Sequence, residues 1–153
     1  MKPEVREVLD RVELTCDFEN VDLSDINATS LDGDNALHCV VRWDDLEAAK
    51  LLIEEGIDIN QNGDLGFAPL HVACMHGNLP MVQLLVANGA DLFSMSEGDT
   101  PFATARLHGH DQICDYLSPL IKDRLNANPQ AYLRSRIAQL KRELAKLEAR
   151  LVD

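Results

Sequence analysis

The stretch from Gly63 to Phe93 sets the pattern for the chain. A glycine-bearing turn leads into an apolar run, Ala68-Pro69-Leu70-His71-Val72-Ala73, that closes at His76-Gly77. A second run, Met81 to Val86, closes at Asn88-Gly89. Runs of this length bounded by glycine predict a turn followed by two short helices. The pattern recurs. A shift of 33 residues back lays Ala36-Leu37-His38 on Pro69-Leu70-His71, Leu51-Leu52 on Leu84-Leu85, Gly56 on Gly89 and Asp58 on Asp91. A shift of 32 forward lays Thr100-Pro101-Phe102-Ala103 on Ala68 to His71, Gly109 on Gly77 and Tyr116-Leu117 on Leu84-Leu85. Several matches in one register, in three copies, establish an internal repeat.

The repeat resembles that of the ankyrin family, a unit of about 33 residues built from a β-turn and two helices around T-P-L-H-x-A. Ala68 stands in place of the threonine, and Pro69, Leu70, His71 and Ala73 match. The resemblance covers about residues 24–118. It implies an all-α solenoid, in which each short helix buries its face against the neighbouring repeat. It also implies non-catalytic binding of another protein.

Three regions follow. Residues 1–29 read as a degenerate N-terminal capping repeat. Pro3 to Leu14 has helical spacing of Val5, Val8, Leu9 and Val12, and Asp25-Ile26-Asn27 lies 33 residues before Asp58-Ile59-Asn60. Residues 30–118 hold the three repeats, with turns at Gly33, Gly63 and Gly98-Asp99 and with Gly56 placed to end a helix in a left-handed conformation. Residues 119–153 form a helical extension. Ser118-Pro119 is expected to break the third repeat and start a new helix, with Leu120, Ile121 and Leu125 covering its open end. In the last helix Leu133, Ile137, Leu140, Leu144, Leu147 and Leu151 are spaced 4, 3, 4, 3, 4, a heptad seam suited to self-association. A parallel homodimer would set Arg136 against Lys141 and Glu143 against Glu148 of the second copy, both like-charged. An antiparallel pair sets Arg134 near Glu148, which helps, and Arg136 near Arg150, which does not. Self-association and capping of the chain's own repeats both stay open.

Charge sharpens the picture. The 153 residues carry a net −12. Residues 1–126 hold 8 Lys and Arg against 23 Asp and Glu, and residues 127–153 hold 6 against 3. An acidic repeat body repels phosphates, so no nucleic-acid partner is expected, and a basic protein partner is favoured by long-range attraction. No run approaches the roughly 18 apolar residues of a membrane span. Met1 to Asp10 has no apolar leader, and Cys16, Cys39, Cys74 and Cys114 form no close pair. These features predict a cytoplasmic protein with reduced thiols and no membrane partner.

Ankyrin-type repeats bind with turn tips and the exposed face of each first helix. By that resemblance the binding positions are Asp32, Asp34, Arg42 and Trp43 in repeat one and Asp64, Leu65, Phe67, Met75 and His76 in repeat two. In repeat three they are Glu97, Asp99, Leu107 and His108. Trp43 and Phe67 would be apolar anchors inside an acidic rim. His38 and His71 occupy the family's turn-tying histidine, and Ala103 replaces it in the third repeat. His71, Cys74, His76, His108 and His110 do not have zinc-ligand spacing, since Cys74 and His76 lie about 200° apart on a helix. Phosphate-loop, HExxH and GxSxG motifs are absent, so no enzyme, metal or cofactor is expected. The compact acidic build also resembles small bacterial ankyrin proteins, some of which are immunity proteins. That implies a basic toxin such as a nuclease as an alternative partner. A scaffold subunit joined through the C-terminal helix is the other alternative.

Overall fold

The computed structural model describes residues 1–152, with their side chains except at Cys16 and Val152. Helix α1 (Pro3–Glu13) precedes three helix pairs: α2 (Ala36–Arg42) with α3 (Leu46–Glu55), α4 (Pro69–His76) with α5 (Leu79–Ala87), and α6 (Pro101–Leu107) with α7 (Asp111–Ala127). A long helix, α8 (Ala131–Val152), follows. Among the described residues there is no strand, only the antiparallel bridges Thr29–Asn35 and Ser96–Asp99 that close two of the turns. The first helices stack with α4 between α2 and α6, and the second helices stack behind them. The all-α solenoid expected from the repeat is the architecture observed.

Local chemistry explains each boundary. Pro69 and Pro101 sit in the first turn of α4 and α6, where a missing N–H costs nothing. The side chains of Asp45, Asn78 and Thr100 accept the backbone N–H groups of Ala48, Met81 and Ala103 and so cap α3, α5 and α6. Gly56 ends α3 at φ +96°, as the sequence predicts. The core is aliphatic: Leu37, Leu52, Leu70, Met81, Leu85, Ile113 and Leu117 are all buried. Helices of seven to ten residues are marginal alone, so this shared interior holds the stack.

Polar ties reinforce each step. The N–H of Asn35 donates to His38 Nδ1, and His38 Nε2–H donates to the Phe67 carbonyl of the next turn at 3.0 Å. His71 repeats this with the N–H of Ala68 and the Asp99 carbonyl at 3.2 Å. A second ladder was not foreseen. Asn27 Oδ1 accepts the N–H of Asp58 at 2.7 Å, and Asn60 Oδ1 accepts that of Asp91 at 2.8 Å. The first rung starts in the degenerate N-terminal segment and so holds it in the repeat's register. That segment supplies a single helix, α1, which buries Val5, Val8, Leu9 and Val12 against α2 and α3.

One expectation fails, and one open alternative is narrowed. The helix does not break at Ser118-Pro119: α7 runs on through Pro119 to Ala127. Proline forfeits one hydrogen bond in a helix interior. Ile113 and Leu117 before it are buried, and Leu120, Ile121 and Leu125 after it pack against the core, which carries the helix through. The second concerns α8, which crosses the repeats with its polar face inward. Ser135 Oγ donates to Asp91, Arg142 donates to the Met95 carbonyl, and Gln139 is buried. The heptad seam faces away, and the helix lies on the repeats through these polar residues instead.

Candidate partner-binding surface

Three first helices present their C-terminal ends side by side. Arg42, Met75 and Leu107 occupy one row of equivalent repeat positions, and Trp43, His76 and His108 the next. Leu107 is 77 % exposed and Trp43 39 %, while His76 and His108 are open to solvent. Trp43 follows the last residue of α2, where its ring leaves the helix pair instead of entering the core. Arg11 of α1 lies over that ring at 5.1 Å and reaches Asp45 at 2.8 Å, which covers one face of the indole. Nothing in the sequence pointed to this contact, because Arg11 lies 32 positions before Trp43, in a segment that lacks the repeat motif.

The turn tips are the second component. Asp32, Asp64, Leu65, Glu97 and Asp99 are exposed, as expected. Leu65 and Glu97 hold left-handed backbone angles, φ +52° and +48°, each followed by a glycine, Gly66 or Gly98, at φ +82° or +98°. Glycine accepts that conformation freely, but leucine there is strained. Two predicted tip residues are placed otherwise. Asp34 is buried: it pairs with Arg42 at 2.7 Å and accepts the N–H of Asp64 at 3.1 Å. It therefore joins the first turn to the second and is not part of an acidic rim. Phe67 is half-buried, set edge-on against His71 at 5.6 Å, and packs on the core, so it is not an open anchor.

The titratable groups lie within the packing. Burial holds His71 down to about 4 and also lowers His38, so both are neutral Nε2–H tautomers in their ties. Burial pushes the Cys39 thiol up to about 11 and Cys74 up to about 12, which leaves little thiolate at neutral pH. Among the described residues no three His, Cys, Asp or Glu side chains gather as a metal site. His110 Nε2–H is spent on the Met75 carbonyl and His108 Nδ1–H on that of Thr104. No described helix is long and apolar enough to cross a membrane.

The repeat geometry is matched by a family profile described as ankyrin repeats (3 copies), which aligns with residues 6–96 and 58–130. The chain belongs to the ankyrin-repeat family. Human SMC5-SMC6 complex localization factor protein 1 is 33 % identical over 144 residues, covering 86 % of this chain and 14 % of its own length. Human protein phosphatase 1 regulatory subunit 27 is 40 % identical over 67 residues, 43 % of this chain and 44 % of that protein. A Caenorhabditis elegans ankyrin repeat and LEM domain-containing protein 1 homolog is 40 % identical over 62 residues, 40 % of this chain and 9 % of its own. The chain thus spans less than half of each of these relatives. Ankyrin repeats are protein-interaction modules, and two of these relatives are named as regulatory or localization factors.

Proposed function

We propose that this ankyrin-repeat chain is a non-catalytic module that captures a partner protein on the first-helix ends and turn tips. The observation that carries the reading is the set of exposed residues Trp43, His76, Leu107 and His108, with half-buried Met75 among them, on a hydrogen-bonded stack. Apolar groups held on a stiff frame lose little entropy on binding, and tryptophan is enriched among the residues that dominate binding energy. The strained Leu65 tip extends the surface, since backbone strain kept at an exposed residue often marks function.

A basic partner segment suits the exposed acids Asp32, Asp64, Glu97 and Asp99. The attraction is tempered by the chain itself: Arg142 and Lys146 of α8 share a cleft with Asp32 and Asp64, and Arg136 lies beside Gly98. Capture of a basic toxin is one form of this reading, and none of the relatives' names supports it. A cytoplasmic setting is proposed with the same reading, from the reduced thiols. Self-association through α8 uses a different surface and does not compete with it.

The test compares proteins captured by immobilised full-length chain with those captured by the Trp43→Ala and Leu107→Asp variants. Unchanged circular dichroism would show that both variants fold. Truncation of a half-exposed tryptophan at an interface centre is expected to weaken a specific partner by about 2 kcal/mol or more, some thirtyfold. Equal capture by all three proteins would overturn the reading.

A further inference from the structure

The outward face of α8 is unused by the fold. Its six seam residues run from 47 % exposed at Leu140 to 86 % at Leu151, while Ser135, Gln139 and Arg142 on the other face touch the repeats. Arg142 donates to the Met95 carbonyl and Lys146 one turn on still borders the cleft with Asp32 and Asp64, while Leu144, Leu147 and Leu151 on the opposite side stay exposed. A continuous apolar stripe of this kind on a soluble surface marks a docking site. Its 4-3 spacing fits another helix with the same spacing, and this chain carries one.

The charges beside the seam choose the arrangement. A parallel pair offers only like-charged flanking contacts, Arg136 with Lys141 and Glu143 with Glu148. An antiparallel pair in full overlap gains Arg134 with Glu148 but sets Arg136 against Arg150, Lys141 against itself and Glu143 against itself. Sliding the antiparallel pair by one heptad places Leu144 opposite Leu147 and Leu140 opposite Leu151. It then pairs Lys141 with Glu148 and Glu143 with Arg150, each twice by symmetry. All four flanking contacts are then opposite in sign. We propose that two copies of this chain associate through α8 as an antiparallel helix pair centred between Leu144 and Leu147. The two repeat stacks lie on the outer sides of that pair, so their Trp43 surfaces stay free.

Sedimentation of the full chain over a concentration series tests this. The parent is expected to shift from one copy to two as concentration rises, and Leu144→Glu is expected to stay a single copy with an unchanged circular dichroism spectrum, since Leu144 is exposed. Glu148→Lys reads the direction. It creates two repulsive contacts with Lys141 in the antiparallel pair and should weaken association roughly tenfold. Lys141→Glu added to it should restore association. In a parallel pair the same single change removes a repulsion and strengthens association. Arg150→Glu reads the register: it weakens the offset pair and strengthens the fully overlapped one. Strengthening by either single change overturns the proposal. So does a parent that stays a single copy throughout, which would mean that the seam docks on something other than its own copy, or association that ignores both charge changes, which would place the contact elsewhere. Trp43→Ala should leave the dimer untouched, which separates this outcome from the fate of the partner-capture reading.

Discussion

His71 shows how a single side chain can couple repeat stacking to pH. It is neutral in the fold, with both ring nitrogens engaged, and burial holds it at about 4 against an ordinary 6.5. Unfolding frees it to take a proton at any pH between those values. The stability it contributes is therefore complete above about pH 6.5 and is lost as the pH falls toward about 4. The loss at about pH 5 should be about 2 kcal/mol from this residue, with a further loss from His38, which shifts the same way. Urea unfolding at about pH 7.5 and about pH 5 would measure it, and comparison with His71→Asn separates the histidine from the acidic surface. Equal losses in parent and variant would show that the ring accepts a proton without leaving its site. The tie was legible through the family resemblance, since both histidines stand at the histidine position of T-P-L-H, but its pH dependence follows only from their burial. Asp34 was not legible. Its neighbours on the chain look like a turn, and only the fold brings Arg42 and the N–H of Asp64 to it.

Among the elements, the helix pairs were the most readable and α7 the least. Apolar spacing and flanking glycines place α2 to α6, because each short helix has one face to bury and glycines to end or separate it. Pro119 reads locally as a helix start, yet tertiary packing of Leu120, Ile121 and Leu125 overrides that preference. The helix bears the cost of a missing hydrogen bond. Pro119→Ala restores a donor for the carbonyl one turn back and is expected to stabilise the chain by about 1–3 kcal/mol, visible as a higher melting temperature. No gain, or a loss, would show that the ring itself fills a needed space. Helix α8 teaches the converse. Its heptad seam was plain in the sequence, but which face meets the repeats depended on Ser135, Gln139 and Arg142, whose partners are remote in the chain.

At the scale of the molecule, stability should be graded. Helices α2 and α4 each bury six residues, whereas α8 buries only Gln139 among its described side chains. Local opening follows apolar burial. Backbone amides of α8 in the dilute single chain are therefore expected to exchange with deuterium orders of magnitude faster than those of α4. Similar protection in both helices would mean that α8 is held by more than its few polar contacts. The repeats, by contrast, are joined by two ladders of side chains that each reach forward along the chain. Asn27 and Asn60 reach to the next loop, and His38 and His71 to the next turn. The third unit has Phe93 and Ala103 at those places. The array thus carries its own stop. A duplicate of residues 30–62 inserted at its own boundary keeps every forward reach supplied, whereas a unit appended after the third finds neither acceptor nor donor waiting. Lengthening this protein by whole repeats should succeed in the middle and fail at the C-terminal end until asparagine and histidine are put back there.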